Sequence, residues 1–581
     1  MDRRSFDSVN ELVVILRRQV EAALDWCRCH LLLTALVILA LGLRVSNITW
    51  GLGLDEFEGR YHPDEWHVVR SVTGFPIWYL SSTLFKYGTA LQYSVGFFLI
   101  PFKLLWALGY PLCSGLEYGQ FANLAVRATN AVLGSLTVVL IYLLGRRIYD
   151  TRTGLLAAGL LSVSLLHVMN SGFATLDVSM SFFVTLTILL AGRAFESGTR
   201  IDFLMLGIGL GFLAGTKITG ALSAIVPVTL LAAAMISSRR SSADISSVGA
   251  VSSAEASRPG WKILFKMTAF AFGIAGITLM VSTPHIFIRM PEYLEYMQGQ
   301  TLHWSDRSGF DFVSVAGTWK RAASEVLTPL VGVLTAIGIL VGRFRVRRGE
   351  SVLEIALVLN IVMYMIFWRG FVAGRFLLPL VPTFCLYAAR LPVLLMRSKR
   401  TLLRALGYAV ACVTIVFSLW ACLVSISYRN STDTRTAAAE YIARNLPHGS
   451  TLALGSERPP WPTYRRHPYP EINTIDSEIV SVLDNPEYVV TSESKLAQME
   501  KALDSGWMDE SYVWPEEKTG FWTWDPVPSP AEFRFFHELL EGSTYELVRK
   551  WSHPPPLPIE FSAPEIRLYR RIFKSIGQES F

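Results

Sequence analysis

Two adjacent carboxylates, Asp64 and Glu65, stand in the segment 61–67 (YHPDEWH), shortly after the first apolar run of membrane length, 31–50. Acids so close to hydrocarbon lower the stability of insertion unless they stay in water or find partners. Such carboxylates could act as a general base or bind a cation. They could also merely begin a helix, because a proline followed by acids is typical of a helix start. Their default interpretation is a functional site.

Further ionisable residues stand at the ends of other apolar runs. Asp177 occupies a short turn between two runs, and Lys217 follows the run that ends near Gly215. The other candidates of this kind are Lys86, His285, Arg369 and Arg375. Lysine and arginine supply the charge and the hydrogen-bond donors that phosphate binds. Acids and cations together predict a site for a substrate that carries phosphate.

The composition indicates a membrane protein that crosses the bilayer many times. The chain has 581 residues, of which 51% are hydrophobic and 17% charged, and its mean hydropathy is +0.37. This combination is typical of a polytopic membrane protein. The net charge of +6 comes from short basic clusters between apolar runs, which are topology signals rather than a nucleic-acid surface. No nucleic-acid partner is expected.

Apolar runs of about 20 residues, long enough to span a bilayer, occur throughout the first three quarters of the chain. The runs are 31–50, 90–109, 122–144, 153–172, 178–194, 201–215, 218–236, 263–283, 324–342, 352–368, 376–396 and 403–427. If every run crossed, the arginine clusters at 146–147, 239–240, 343–348 and 397–404 would lie opposite the basic N-terminus, against the positive-inside rule.

If one early run does not cross the membrane, all four arginine clusters lie on the same side as the basic N-terminus, as the positive-inside rule requires. The run 90–109 contains Gln92, Pro101 and Lys103, so we interpret it as a re-entrant or interfacial helix. Eleven helices then cross, the N-terminus is cytoplasmic, and residues 51–121 form the first extracytoplasmic loop. The acid pair lies on the outer side.

The regions outside the apolar runs differ in character. Residues 1–30 predict an amphipathic helix on the cytoplasmic membrane surface or an ordinary basic flank. The Ser/Ala-rich segment 237–260 predicts a flexible cytoplasmic linker within the transmembrane domain, 31–427. Residues 428–581 predict a small extracytoplasmic α/β domain. Its expected elements are strands at 451–454 and 488–491 and a helix at 434–445. Six cysteines occur, none after Cys422, which excludes a disulfide framework there.

The predicted outward position of the ionisable residues limits which sugar donors the protein could use. Nucleotide-sugar donors are cytoplasmic, so an outward-facing enzyme that handles phosphate would use a lipid-linked phosphate donor, whose sugar is the group transferred. A lipid phosphate is a better leaving group than an alkoxide and needs only positive charge to stabilise it. Two alternatives stay open from the residues alone: a transporter or flippase for lipid-linked sugars, and a non-catalytic scaffold.

A series of short motifs, in this order, resembles one family. The motifs are Tyr61-His62-Pro63-Asp64-Glu65, Phe85-Lys86-Tyr87, Arg127, Gly145-Arg146-Arg147, the run from Phe173 to Asp177, and Gly215-Thr216-Lys217. They resemble the dolichyl-phosphate-mannose protein mannosyltransferase and aminoarabinose lipid A transferase group, which are membrane glycosyltransferases of the GT-C fold. The resemblance covers roughly residues 30–290 and, more loosely, the segment 375–379.

The resemblance implies a role for each candidate residue. Asp64 would be the catalytic base, Glu65 would support it, and Asp177 would be the second acid. The donor phosphate would be bound by Lys86, Lys217, Arg369, Arg375 and Arg127. The residues expected near the substrate are His285, His62 and Tyr87. One departure is Gly88, where many bacterial relatives have proline. The Ser/Ala-rich insertion is another.

The resemblance also implies the partners. These are a polyprenyl-phosphate-linked sugar, membrane lipids, and a glycan, lipid or protein acceptor, in a bacterial plasma membrane. No cofactor is required. A divalent cation, Mg²⁺ or Mn²⁺, held by Asp64, Asp177 and His285 stays open, because oxygen ligands suit these ions.

Overall fold

The computed structural model describes most of the apolar part of the chain and the framework of the C-terminal part. The described residues are 30–52, 62, 64–82, 85, 87–110, 116–244, 260–305, 328–341, 351–367, 374–454, 473–476, 486–492, 496, 530–542, 544–557 and 564–572. The predicted N-terminal amphipathic helix lies almost entirely outside them.

Helices dominate the described residues, and every predicted apolar run is helical over most of its described residues. The first twelve are α1 His30–Val45, α2 Glu65–Gly74, α3 Ala90–Ala107, α4 Tyr118–Ile148, α5 Thr151–Ser162, α6 Leu165–Ser171, α7 Asp177–Ser197, α8 Arg200–Thr216, α9 Ile225–Asp244, α10 Trp261–Ser282, α11 Pro284–Ile288 and α12 Met290–Ser305. Later helices cover Pro329–Val341, Ser351–Phe367, Val381–Ala388, Arg390–Met396 and Thr401–Arg429, with 3₁₀ turns at Ile218–Ala224 and Gly374–Leu380.

Seven helices of the described residues are long and apolar enough to cross a membrane, or eight if the bent pair α5 and α6 forms one span. The chain is therefore a multi-pass membrane protein, as predicted. Helix α3 is continuous and meets the same length and hydropathy criteria. Its re-entrant or interfacial placement, and with it the count of eleven crossings, stays a prediction.

The bend between α5 and α6 has a buried arginine at its centre. The two helices meet at 55°, and the carbonyls of Leu161 and Ser162 lie at the end of α5, where the regular helical pairing stops. The Leu161 carbonyl accepts from the N–H of Ser164 at 3.3 Å. The Arg44 side chain donates to both carbonyls, each at 3.2 Å. Its Nη2 also lies 3.1 Å from Nδ1 of His167 on α6. Arg44 thus stabilises the break.

Two compact units divide the chain. One comprises 1–48, 67–112 and 125–423, and the other comprises 49–66, 113–124 and 424–581. The sequence placed the boundary at 427 and assigned the whole of 51–121 to the transmembrane domain. The division in the structure differs from this assignment at 49–66 and 113–124, which group with the C-terminal part. Within that unit, the ring centroid of Trp50 lies 4.7 Å from the guanidinium of Arg429 and 5.9 Å from that of Arg435.

Small residues allow the helices of the first unit to pack closely. Gly207 and Gly211 lie four apart on α8, and a Cβ at either would come within 2.6 Å of a backbone carbonyl of α10. Small residues at this spacing let two helix backbones approach in a membrane. Helix α8 is thereby held against α10, and its C-terminal end is held with it.

Charged residues in the first unit collect at the two ends of α7. At its C-terminal end, Arg147 bonds Glu196 at 3.0 Å, and at its N-terminal end, Asp177 bonds Lys217 at 2.8 Å. A helix of 21 residues separates these groups by about 30 Å. Lys217 therefore lies at the opposite end of the helix from Arg147, as the predicted topology requires.

The second unit contains a five-stranded mixed sheet with the strand order β2-β1-β3-β5-β4. The strands are β1 Thr451–Leu454, β2 Asn473–Asp476, β3 Tyr488–Ser492, β4 Tyr545–Trp551 and β5 Ile566–Arg571. Strands β2, β1 and β3 are parallel, and β5 pairs antiparallel with β3 and β4. The predicted α/β character and the strands at 451–454 and 488–491 are confirmed.

Helices cover both faces of this sheet. Leu452 and Val490 pack with the predicted helix, Thr434–Asn445, whereas their neighbours Ala453 and Val489 pack with the helix Pro530–Glu541. This division follows because successive strand residues point to opposite faces.

An ion cluster lies beside β5. Burial opposes the ionisation of Glu565, yet hydrogen bonds from Lys550 and Arg567 outweigh it and lower the pKa of this carboxyl below its ordinary value.

The predicted linker is shorter than expected at its beginning. Helix α9 continues to Asp244, so residues 237–244 are helical rather than part of a flexible segment. Once a helix has formed, adding a residue gains one backbone hydrogen bond for each residue ordered, and polar residues such as serine and arginine can continue it. The rest of the predicted linker, except Gly260, lies outside the described residues.

Candidate active site

A buried ion pair joins two residues that are forty positions apart in the chain. Nζ of Lys217 donates to Oδ1 of Asp177 at 2.8 Å, and only 12% and 7% of the two side chains are exposed. Burying two charges is favourable only when the geometry between them is good and further hydrogen bonds are available. The sequence predicted both residues as part of the site, and the structure brings them together.

Aromatic rings surround the ammonium of Lys217. Its Nζ lies 4.9 Å from the ring centroid of Phe376 and 5.8 Å from that of Tyr87. The guanidinium of Arg375 lies 5.2 Å from the same Phe376 ring. An ammonium has three donors, and among the described residues only Asp177 receives a hydrogen bond from this one. Lys217 thus has donors to offer an anion beside the aromatic rings, and Arg375 provides a second cation nearby.

Local structure explains why Asp177 and Lys217 stand where they do. Asp177 is the first residue of α7, where the helix dipole favours a negative charge. Lys217 ends α8 in an extended conformation, with φ of −152°, before the 3₁₀ turn Ile218–Ala224 begins. The extended residue leaves the helix direction, which allows a lysine at the end of one helix to reach the start of another.

Gly88 brings the segment that contains Tyr87 against the end of α8. A Cβ at position 88 would lie 2.0 Å from the carbonyl oxygen of Gly215, so the chain passes too close for any side chain. This contact explains why glycine stands at position 88 of this chain. Gly215 stands two residues before Lys217, so its contact with Gly88 holds the neighbouring Tyr87 close to the ammonium.

We expect Gly88→Ala to lower the free energy of unfolding by about 1–3 kcal/mol, because a methyl group forced into a packed contact displaces the backbone. Thermal unfolding of the purified protein in detergent measures the effect. Gly273→Ala is the control, since a Cβ there meets nothing within 4 Å and alanine favours the helix by up to about 1 kcal/mol. Equal melting temperatures for the two variants would contradict the proposed contact.

His285 lies in an aromatic environment. It is fully buried on α11, its ring stacks on Phe85 with centroids 6.1 Å apart, and Tyr93 approaches it edge-on at 6.2 Å. A neighbouring cavity of about 150 Å³ has Phe85, Tyr87, Gly88, Ala214, Ile218, Leu279, Thr283, Ile286, Phe287, Met290, Tyr293 and Met297 as its lining. The cavity is mainly apolar and shares Tyr87 with the surroundings of Lys217.

The acid pair lies in the second unit. Glu65 begins α2, which confirms the predicted helix start, and it is fully buried. Its Oε2 accepts a hydrogen bond from Nδ2 of Asn123 at 3.4 Å. Asp64 is 9% exposed, and its backbone N–H donates to Nδ1 of His62 at 3.1 Å. Glu65 is thus bonded to a neighbouring helix, and Asp64 stands in the turn before α2.

The other predicted residues differ in how the structure places them. Arg127 is fully buried on α4, and its Nη1 donates to the carbonyl of Ile48 at 2.7 Å. Its contact with a donor phosphate stays a prediction. Lys86 and Arg369 lie outside the described residues. In the described part of the chain, no group of three or more histidine, cysteine, aspartate or glutamate residues could hold a metal ion.

One buried residue escaped the sequence reasoning. Asn130 on α4 donates to the carbonyls of Phe173 and Thr175, in the turn before Asp177. Its signal in the sequence was its spacing, because Asn123, Arg127 and Asn130 recur every three or four residues in an apolar helix. Such positions share one helix face, and all three are fully buried.

Comparisons with known proteins agree with these motifs. Residues 114–252 match the family of dolichyl-phosphate-mannose-protein mannosyltransferases. Over 122 residues the chain is 36% identical to the undecaprenyl phosphate-alpha-4-amino-4-deoxy-L-arabinose arabinosyl transferase of Pseudomonas aeruginosa, an alignment that covers 20% of this chain and 22% of the relative. The chain thus spans about a fifth of the length of the curated relatives it matches.

Two solved structures are similar over most of the chain. The archaeal oligosaccharyltransferase AglB from Archaeoglobus fulgidus, in complex with an inhibitory peptide and a dolichol-phosphate, has a TM-score of 0.51 at 14% identity, covering 94% of this chain and 88% of that chain. ArnT from Cupriavidus metallidurans, bound to undecaprenyl phosphate, has a TM-score of 0.45 at 15% identity, covering 81% and 94%.

The similarity to AglB shows that the chain has the GT-C fold. The match over residues 114–252 confirms the resemblance to the mannosyltransferase and aminoarabinose transferase group. This segment contains Arg127, Asn130, Asp177 and Lys217.

Proposed function

We propose that this protein is an inverting glycosyltransferase that moves a sugar from a polyprenyl-phosphate-linked donor to an acceptor hydroxyl at the extracytoplasmic face of the membrane. The acceptor is a protein, a lipid or an envelope glycan, and the membrane is a bacterial plasma membrane. The observation that carries the proposal is the buried ammonium of Lys217, which is paired with Asp177 and flanked by aromatic rings at one end of α7.

The surroundings of Lys217 suit a lipid-linked phosphate. A charge in a site poor in water interacts more strongly with an anion than it would in bulk water. Lys217 supplies hydrogen-bond donors and charge, and Arg375 supplies a second cation next to the shared Phe376 ring. The pairing with Asp177 keeps the ammonium in place before the donor arrives. The cations would stabilise the negative charge that grows on the phosphate as it leaves.

Asp64 is assigned as the general base. In one displacement, the acceptor oxygen bonds to the anomeric carbon while its proton passes to the Asp64 carboxylate. The bond between that carbon and the phosphate oxygen breaks, and its electron pair leaves with the polyprenyl phosphate. Glu65, held by Asn123, supports the start of α2 behind Asp64. No step requires a metal ion.

The arrangement of Asp177 favours a single displacement. A two-step reaction with retention needs a second carboxylate as nucleophile. The Asp177 carboxylate is buried and bonded to Lys217, so it orients the cation instead. One base and one cationic leaving-group site are sufficient for inversion at the anomeric carbon.

The relatives support transfer rather than transport. The matched family and the Pseudomonas aeruginosa relative are both named for transfer of a sugar, and dolichol-phosphate is bound in the AglB structure. A transporter or flippase for lipid-linked sugars is not favoured.

Purified protein in lipid nanodiscs, given synthetic polyprenyl-phosphate-linked mannose or 4-amino-4-deoxy-L-arabinose and extracts of envelope acceptors, tests the proposal. We expect release of free polyprenyl phosphate, measured by mass spectrometry, together with a product that gains one sugar. Comparison of envelope glycans from cells with and without the protein identifies that sugar. Movement of intact donor across vesicle membranes, without cleavage of the sugar–phosphate bond, would identify a transporter instead.

A further inference from the structure

The turn that precedes Asp177 is buried along its whole length. Phe173, Ala174, Thr175 and Leu176 are at most 3% exposed, and all lie between the end of α6 and the start of α7. Backbone N–H and C=O groups that are removed from water must be paired inside the protein. A turn lacks the regular backbone hydrogen bonds of a helix or sheet, so its conformation depends on side chains that donate hydrogen bonds to its carbonyl groups.

Asn130 meets this need from the neighbouring helix α4. Its Nδ2 donates to the carbonyl of Phe173 at 2.8 Å and to that of Thr175 at 2.6 Å. Its Oδ1 accepts a hydrogen bond from Oγ of Ser179, in the first turn of α7. Asn130 is fully buried, and its side-chain amide both donates and accepts hydrogen bonds.

These bonds fasten the chain on both sides of Asp177. Phe173 and Thr175 precede it by four and two residues, and Ser179 follows it by two. Asn130 stands in the middle of the 31-residue helix α4, which gives the amide a rigid support. One side chain thus holds the turn and the helix start, and the direction of the Asp177 carboxylate depends on both.

We infer that Asn130 is a positioning residue for the Asp177–Lys217 pair, an inference that rests on the proposed transfer function. By holding the start of α7, Asn130 fixes the carboxylate that orients the ammonium toward the donor phosphate. Loss of the amide leaves Lys217 present and charged but displaces it from the leaving phosphate. A displacement of about 1 Å can lower a rate by about a hundredfold.

The test compares Asn130→Ala and Asn130→Gln with wild type in nanodiscs. Asn130→Ala removes all three hydrogen bonds, and Asn130→Gln keeps an amide. Asn360→Ala is the matched control, because Asn360 is an equally buried asparagine that donates to Ser223 instead. The measurements are amide hydrogen exchange across residues 172–180, and kcat and KM for transfer from a polyprenyl-phosphate-linked sugar.

For Asn130→Ala, we expect exchange in 172–180 to rise roughly tenfold or more, since a buried turn loses two backbone partners. We expect kcat to fall about tenfold to a hundredfold, with KM within about threefold of wild type. Asn130→Gln should recover part of both losses, and Asn360→Ala should change neither. Unchanged exchange, or unchanged kcat, in a folded Asn130→Ala protein would overturn the inference.

If Asn130→Ala does not fold, Ser179→Ala tests the inference instead, because it removes only the hydrogen bond from Ser179 to Oδ1 of Asn130. A measurable rise in exchange at 172–180 supports the positioning role, and wild-type exchange contradicts it. If wild type transfers no sugar from any donor, the proposed function fails. Hydrogen exchange still decides separately whether Asn130 holds the turn.

Discussion

Asp64→Asn is expected to lower the rate of sugar transfer by about 10²- to 10⁴-fold, the range that a general base contributes. Asparagine has nearly the same shape as aspartate but cannot take the proton of the acceptor hydroxyl. The turn before α2 should be unaffected, because the hydrogen bond to His62 comes from the backbone N–H of residue 64. The rate is measured as release of polyprenyl phosphate, with folding checked by thermal unfolding.

Two further variants make this result specific to Asp64. Glu117→Gln removes an exposed acid of the same unit and should leave the rate unchanged. Glu65→Gln should lower it less than Asp64→Asn, because Glu65 supports the helix start through Asn123 and does not take the proton. Wild-type turnover of Asp64→Asn would remove Asp64 as the base.

Lys217→Met is expected to affect both stability and transfer. Removing one partner of a buried ion pair leaves the other charge unpaired, which costs about 3–5 kcal/mol. Asp177 would be that charge, since only 7% of its side chain is exposed. Loss of a preorganised group that stabilises developing charge lowers the rate by about 10²- to 10³-fold. Thermal unfolding and polyprenyl phosphate release measure the two effects on the same preparation.

The double variant Asp177→Asn/Lys217→Met separates the two effects. We expect it to recover most of the lost stability, because no unpaired charge remains buried, while transfer stays as low as in Lys217→Met. Arg193→Met is the matched control. It breaks the pair with Asp202 at the other end of α7, where Arg193 is 67% exposed. The Asp202 carboxylate keeps hydrogen bonds from Ser197 and Thr199, so the change should cost at most about 1 kcal/mol. Recovery of transfer in the double variant would exclude Lys217 from phosphate binding.

Much of the fold could be predicted because its causes are local in the chain. A run of apolar residues long enough to cross a bilayer must pair its backbone groups internally, and a helix does so within one segment. All twelve predicted runs are therefore helical over most of their described residues. The strands at 451–454 and 488–491 likewise follow from short apolar runs. The predicted start of the linker at 237 was wrong, because a helix that has already formed can continue through serine and arginine, and α9 does so as far as Asp244.

The candidate site was predictable in its residue types and only partly in its arrangement. Asp177 and Lys217 stood out as charged residues at the ends of apolar runs, and the motifs supplied their order. The resemblance implied separate roles for them, as second acid and phosphate ligand. The structure joins them in one ion pair, and for this reason we propose Asp177 as a group that orients Lys217.

Residue types, spacing and hydropathy along the chain were sufficient for the membrane class, the helices, the α/β character of the C-terminal part and the candidate acids and cations. Tertiary structure alone decided that Lys217 pairs with Asp177, that residues 49–66 group with the C-terminal unit, and that Asn130 holds the turn before Asp177. Each of these depends on contacts between segments tens to hundreds of residues apart. Such contacts arise from the packing of whole helices, because local hydrogen bonding and hydropathy act only between neighbours in the chain.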